Sequence, residues 1–173
     1  SRAVPLLRSS GLGKLGANRP RPDARQRTQD AEIETMDEEQ AVLFANEAFY
    51  QAFAEGDVAG MDDLWARDAV VTCVHPGWAP LSGRDEVMES WRAILENPNA
   101  PSIEFADAAV FVEGTLAYVI CYESVGDGHL AATNIFLRER GLWKIVHHQA
   151  GPTSGVPSET ERPKPAGGPR TMH

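Results

Sequence analysis

The sequence predicts an α+β fold in which three N-terminal helices pack on one face of a curved, mostly antiparallel sheet. Two observations predict it. Residues 37–96 hold three helical patterns around one short strand, whereas residues 103–149 read as successive strands joined by tight turns. Helices that precede a run of hairpin-linked strands pack together on one face of the sheet.

The first helix is predicted over residues 37–55. Its apolar residues recur three and four positions apart and share one stripe; they are Val42, Ala45, Phe49, Ala52 and Phe53. Acidic residues crowd its first turn, where the helix dipole favours negative charge. Gly56 ends this helix, and Asp57 caps a second, shorter helix over residues 58–66.

The third helix is predicted over residues 83–96, after a β-branched strand at 69–75. Ser82 and Asp85 have the spacing of a capping box at its start, and Pro98 follows its end. The remaining strands are separated by short turns that contain glycine; they are predicted over 103–112, 115–125, 130–138 and 142–149. Consecutive hairpins of this kind give an antiparallel meander.

Charge is distributed unevenly along the chain. Residues 1–29 hold seven basic residues and one acidic residue, whereas residues 30–156 hold six basic and 22 acidic residues. An acidic folded part repels phosphate backbones, so we expect no nucleic-acid partner. No apolar run approaches the roughly 20 residues of a membrane helix, so we expect no membrane partner. The predicted organisation is a disordered basic extension (1–36), one domain (37–152) and a disordered Pro/Gly-rich tail (153–173).

The N-terminal stretch and the two cysteines bear on the cellular compartment in which the protein is expected. The first thirty residues are Arg-rich and acid-poor, which fits an organelle transit peptide; otherwise we expect a cytoplasmic protein. Met36, which three acidic residues follow, also fits a natural start. Cys73 and Cys121 lie in apolar runs outside any CxxC motif, which favours buried, reduced thiols.

Three stretches, in their order along the chain, resemble the nuclear transport factor 2-like superfamily, and more narrowly its SnoaL-like and ketosteroid-isomerase-like members. They are FAEGDVAGMDDLWARDAVV, LSGRDEVMESW and GLWKIVHHQ. The resemblance covers about residues 38–152. It implies a cone-shaped α+β barrel with a pocket at its wide end, and a homodimer formed through the outer face of the sheet. The superfamily contains enzymes, binding domains and assembly modules, so the resemblance selects no single activity.

The residues of a ketosteroid isomerase are not carried over. The resemblance places the helical tyrosine of these enzymes at Phe49, which has no hydroxyl group. It places their aspartate base at Cys73, two residues before His75. We therefore do not expect a steroid-isomerase mechanism that uses the usual residues.

The turn at 140–141 predicts which side chains of the last hairpin face the pocket. With two turn residues, three facing pairs follow; they are Arg138 with Trp143, Phe136 with Ile145, and Asn134 with His147. Trp143 and Ile145 are the apolar alternate residues, so this face is predicted to point inward. Three roles are then open for Asn134 and His147. They hydrogen-bond each other inside the core, they line a ligand pocket, or His147 acts as an acid/base group. A shift of one residue would reverse these faces, and His148 is predicted to lie outside.

Two further groups have open alternatives. His75 follows the first strand, and it is predicted to hold the turn, contact a ligand or transfer protons. Trp78 on the same loop is predicted to be an apolar lid. Glu123 is predicted to lie outside as a solvated or interface charge; inside, it would be a base with a raised pKa.

The candidate site therefore comprises two catalytic candidates, His75 and His147, and a set of ligand-binding residues. That set is Trp78, Asn134, Phe49, Phe136 and Trp143. We expect no cofactor and no metal. Neighbouring residues of a strand, such as His147 and His148, point to opposite faces and cannot easily bind one ion, and no HExxH spacing occurs. The favoured function is binding of a small hydrophobic molecule. The alternatives are an isomerase, cyclase or dehydratase that uses His75 or His147, and a homodimeric assembly module.

Overall fold

The structure, a computed structural model, describes residues 24–158 and has the predicted α+β architecture. Three helices lie within the described part of the chain: α1 (Ala24–Glu55), α2 (Val58–Leu64) and α3 (Arg84–Leu95). Six strands form one sheet: β1 (Thr72–Val74), β2 (Leu81–Ser82), β3 (Ile103–Glu113), β4 (Leu116–Val125), β5 (Gly128–Glu139) and β6 (Leu142–Pro152).

The sheet is mixed and open. Its strand order is β2-β1-β6-β5-β4-β3, so β2 and β3 are its edges. Every neighbouring pair is antiparallel except β1 with β6, which run parallel. The predicted meander of four long strands is therefore present, and the short strand β1 extends it beside β6. Among the described residues, no helix is long and apolar enough to cross a membrane.

Helix α1 begins at Ala24, earlier than the predicted start at residue 37. No glycine or proline occurs between Pro22 and Gly56, and the intervening residues are mostly good helix formers. Part of the stretch predicted to be disordered is therefore helical. The predictions for residues 1–23 and 159–173 lie outside the described residues.

The junctions around α2 follow the sequence prediction, whereas the start of α3 does not. Gly56 has φ +65° after α1, and the Asp57 side chain accepts a hydrogen bond from the Gly60 amide at 2.9 Å. At α3 the capping residue is Gly83, which has no side-chain cap, and the predicted capping box was wrong. Ser82 instead belongs to strand β2, where it pairs with Thr72.

The register of the last hairpin changes along its length. The predicted pairs of Arg138 with Trp143 and Phe136 with Ile145 are present. A β-bulge then inserts Val146 as an extra residue, so that Ile135 pairs with His147. Beyond the bulge every side chain of β6 faces the opposite side from the one predicted.

The bulge exchanges the places of the two neighbouring histidines. His148, opposite Asn134, is buried inside with 3% exposure. His147 lies on the other face, partly buried, with its Nδ1 2.7 Å from Thr72 Oγ1. The predictions that His147 faces the pocket and that His148 lies outside were therefore wrong.

Candidate functional site

A cavity of about 520 Å³ that is partly open to solvent, which we call the interior cavity, lies between the helices and one end of the sheet. Its walls come from the end of α1, the loop after β1, helix α3 and the adjoining ends of β3 to β6. Most of the lining side chains are apolar, and the lining includes Phe53, His75, Trp78, Trp91, Leu130 and His148. The loop after β1 thus borders this cavity.

His75 is a buried side chain on the wall of the interior cavity. Its Nε2 lies 2.9 Å from Ser90 Oγ, and the Ser90 hydroxyl donates to the Val87 carbonyl at 2.8 Å. Because that hydroxyl has one proton, its oxygen accepts from His75 Nε2–H. Burial lowers the pKa of His75 to about 4, so the ring is neutral near pH 7.

Two tryptophans hold the His75 ring in place. Trp91 meets it edge-on at a centroid distance of 4.6 Å, and Trp78 meets it edge-on at 5.0 Å. Trp91 is buried on α3, whereas Trp78 is half exposed on the loop. His75 is therefore fixed from the protein side, and Trp78 covers it from the solvent side.

His148 is the second buried histidine on the cavity wall. Its Nδ1 lies 2.6 Å from Asn134 Oδ1, and an amide oxygen can only accept, so Nδ1 carries the proton. Burial, together with the neighbouring His75 and His147, lowers the pKa of His148 to about 3. His148 is therefore also neutral near pH 7.

Behind His148, hydrogen bonds run inward to a buried acid. The Asn134 amide donates to Asn46 Oδ1 at 2.8 Å and to the Tyr50 hydroxyl at 3.4 Å. The Tyr50 hydroxyl in turn donates to Glu123 Oε1 at 2.8 Å. We call the series His148, Asn134, Tyr50 and Glu123 the polar chain. Each donor in it points from the cavity toward Glu123.

Glu123 is inside the molecule with 2% exposure, so the prediction that it lies outside was wrong. The β4–β5 turn has two residues, which pairs Val125 with Gly128 and Glu123 with Leu130. Burial raises the pKa of Glu123, and the hydrogen bond from Tyr50 opposes this shift. Residues 126–128, Gly-Asp-Gly, fit a turn of either two or three residues, so the sequence alone does not decide which face of β4 carries Glu123.

Tyr50 was not predicted to be a site residue. The isomerase resemblance indicates the neighbouring position, Phe49, which has no hydroxyl group. Tyr50 is buried beside Phe49, stacks on Phe105 at 4.4 Å, and lies 3.2 Å from Cys121 Sγ. Burial raises the pKa of Tyr50, so its hydroxyl stays protonated and remains a donor. The sequence feature that could have identified Tyr50 is its place next to the apolar stripe of the predicted first helix.

The predicted ligand-binding residues separate into two groups. Trp78 lines the interior cavity, and Asn134 lies directly behind His148. Phe49 and Phe136 are buried core residues outside the lining, and Phe49 packs 5.1 Å from the His148 ring. Binding roles for these four residues stay predictions.

Trp143 lies elsewhere in the fold. Its indole Nε1 donates to Glu38 Oε2 at 2.9 Å, so it fastens β6 to α1. Cys73 and Cys121 are buried free thiols, and burial raises their pKa values to about 12 and about 11. Within residues 24–158, no group of three or more His, Cys, Asp or Glu side chains is arranged to hold a metal ion.

Solved structures with the same fold include two of substantial sequence identity. A candidate dehydratase of the NTF2-like family from Streptomyces avermitilis is 34% identical, with a TM-score of 0.65 over 70% of this chain and 99% of that one. A candidate calcium/calmodulin-dependent protein kinase type II association domain from Thiobacillus denitrificans is 30% identical, with a TM-score of 0.54 over 64% and 93%. An NTF2-like protein with a cystatin-like fold from Novosphingobium aromaticivorans, 22% identical with a TM-score of 0.52 over 78% and 92%, shows the fold alone.

Among curated proteins, the F-box protein SKIP8 of Arabidopsis thaliana is 25% identical over 112 residues, which is 64% of this chain. The chain spans about half the length of that relative, 48% of it. The model of the SnoaL-like domain matches residues 42–153, a stretch that contains every residue lining the interior cavity. The fold, the cavity and this match together identify the chain as a member of the SnoaL-like family, within the NTF2-like superfamily.

Proposed function

We propose that the chain binds a small hydrophobic molecule in the interior cavity. The observation that carries this proposal is the cavity itself, whose volume of about 520 Å³ falls in the usual range for ligand sites. Its wall is mainly apolar and holds two buried imidazole rings, from His75 and His148. A few placed polar groups on an apolar wall are typical of sites that orient a small ligand.

Filling the cavity tests this proposal. In Leu130→Trp a larger side chain occupies the space, so we expect binding of a two-ring aromatic probe, 2-naphthol, to fall at least about tenfold. Binding is measured by titration of ¹H–¹⁵N NMR spectra of the labelled chain. Leu142→Trp is the matched control, because Leu142 is 60% exposed and lies outside the cavity lining. Equal affinities for both variants and the unmodified chain would contradict the proposal.

A second candidate function is acid/base catalysis on a hydrophobic ketone-like substrate, of the isomerase, cyclase or dehydratase kind. The position of His75 and His148 on the cavity wall supports it, because each neutral imidazole can accept a proton there, although their lowered pKa values make both rings weak bases. The similarity to the S. avermitilis candidate dehydratase also supports it. We now place His148, rather than His147, beside His75 in this role, because His148 lines the cavity.

Proton abstraction can be measured without knowing the natural substrate. We expect the chain to accelerate exchange of the α-protons of 1-tetralone in D₂O, followed by ¹H NMR, above the rate in buffer. His75→Ala or His148→Ala should reduce the excess rate by the 10²- to 10⁴-fold typical of general bases. His147→Ala is the matched control, since His147 lies on the other face of β6. Exchange no faster than in buffer leaves binding as the function.

We also propose that two copies associate through the outer face of the sheet. The support is a group of exposed apolar side chains on β3 and β4: Phe111, Leu116 and Ile120, with 43%, 41% and 45% exposure. Tyr118 stacks on Phe111 within this group at 4.8 Å. Contiguous apolar patches of this kind mark protein contacts more often than free surface.

A further inference from the structure

The hydrogen bonds around the two cavity histidines fix which ring nitrogen of each carries the proton. His75 is protonated at Nε2, because Ser90 Oγ has already committed its proton to the Val87 carbonyl. His148 is protonated at Nδ1, because its partner is the oxygen of the Asn134 amide. Neutral imidazole carries one proton, so the other nitrogen of each ring is a bare acceptor.

The bare nitrogen of His148, Nε2, is available to a ligand. Nδ1 points to Asn134 in the interior, and within residues 24–158 Nε2 has no hydrogen-bond partner while its ring lines the cavity. Nδ1 of His75 has only a long contact of 3.9 Å to Cys73 Sγ. An unsatisfied acceptor in an apolar surrounding costs free energy that a donor on a ligand would recover.

The polar chain holds His148 in this state. Asn134 could present its nitrogen to His148 only if Asn46 also turned its amide, and the Asn134 oxygen would then face the oxygen of Tyr50, whose proton goes to Glu123. The Tyr50 hydroxyl, which also accepts from Asn134, directs its own proton to Glu123. Asn134 is therefore a positioning residue that acts through His148.

We infer that the ligand is an apolar molecule that carries a hydroxyl or N–H group, and that this group donates a hydrogen bond to His148 Nε2. The inference rests on the proposed binding function and names the ligand class for the same cavity. A carboxylate ligand is disfavoured, because it would meet bare acceptor nitrogens and lose its hydration in an apolar site. An ether of the same shape is disfavoured because it leaves Nε2 unpaired.

Three matched compounds test the inference on the unmodified chain: 2-naphthol, 2-methoxynaphthalene and 2-naphthoate. We expect 2-naphthol to bind about tenfold more tightly than the ether, as one recovered hydrogen bond implies, and 2-naphthoate to bind most weakly. If all three fail to bind, the proposed binding function is wrong. If the ether or the carboxylate equals 2-naphthol, the cavity binds but the inferred ligand class is wrong.

Substitution of Asn134 tests the assigned role of the polar chain. In Asn134→Asp a carboxylate accepts from His148 Nδ1–H and favours the doubly protonated ring. Asn46 can turn its amide, whose Nδ2 has no partner among the described residues, toward the new acid. We expect the preference to reverse, so that 2-naphthoate binds more tightly than 2-naphthol. Ala131→Asp, which adds the same charge on the exposed outer side of β5, should keep the original order.

The protonation state can also be read directly. Long-range ¹H–¹⁵N correlation spectra distinguish the two neutral forms of imidazole, and we expect the Nδ1–H form for His148 in the free chain. The Nε2–H form would overturn the inference. If Asn134→Asp does not fold, these spectra and the three-compound comparison on the unmodified chain still decide the outcome.

Discussion

At the scale of single residues, the most unusual group is the carboxyl of Glu123. It lies inside a small domain with 2% exposure, and its hydrogen-bond partner is the neutral Tyr50 hydroxyl. No cation is paired with it among the described contacts. Burial therefore favours its protonated form, which raises the pKa. An acid of this kind makes the stability of the fold depend on pH.

We predict that Glu123→Gln removes this dependence. Above the ordinary glutamate pKa the unfolded chain loses its proton while the folded chain retains it, so stability falls as the pH rises toward the folded-state pKa. The loss can reach about 1.4 kcal/mol per pH unit in that window. Glutamine keeps an oxygen to accept from Tyr50 and has no proton to lose.

Urea denaturation at a series of pH values between 4 and 8 measures the effect. The stability difference between Glu123→Gln and the unmodified chain should increase with pH in favour of the variant. Glu113→Gln is the control, because Glu113 is exposed at the end of β3. A difference that is constant with pH would mean that Glu123 ionises as readily inside the fold as in water.

At the scale of elements, the sequence predicts the strands better than the faces they present. Apolar alternation and turn residues place β3 to β6 and pair Phe136 with Ile145, and the structure agrees. The bulge at Val146 leaves only a slight mark in that pattern, because the local hydrogen-bond geometry that makes a bulge depends on contacts distant in sequence. One available clue was Gln149, which simple alternation would have placed inside and which is exposed.

The candidate site likewise has one part that the sequence predicts and one part that it does not. His75 and Trp78 belong to a loop whose place follows from element order, and both line the interior cavity. The polar chain could not be predicted, because it needs the face of Glu123, the bulge in β6 and the exact rotation of α1 at Tyr50. Each of these is set by packing between elements rather than by the residues of one element.

At the scale of the whole molecule, the sheet has two unlike sides. Its inner side packs against α1 and bounds the interior cavity, while its outer side exposes Phe111, Leu116 and Ile120. The segment after β6 covers part of the outer side. Gly155 lies so close to Tyr122 that an added Cβ atom would be 2.7 Å from the Tyr122 hydroxyl oxygen. The Ser158 amide donates a hydrogen bond to Asp107 Oδ2 at 2.6 Å. A second copy would therefore meet the side chains left uncovered.

We predict that Ile120→Arg converts a dimer into a monomer, because a buried, unpaired charge opposes association. Sedimentation velocity over a range of protein concentrations measures the change. Val70→Arg is the matched control, since it adds the same charge at an exposed apolar position in the loop before β1. The unmodified chain sedimenting as a monomer throughout would contradict the proposed association.

The extra residue in β6 has a consequence for how relatives are aligned. Because Val146 occupies no position of its own in the ladder, a homologue without it would present to the cavity a side chain one place earlier in its sequence. An ungapped alignment would then equate His148 with a residue on the wrong side of the sheet. Insertion or deletion of a single codon here exchanges the side chain that faces the cavity, with little change to the surrounding fold.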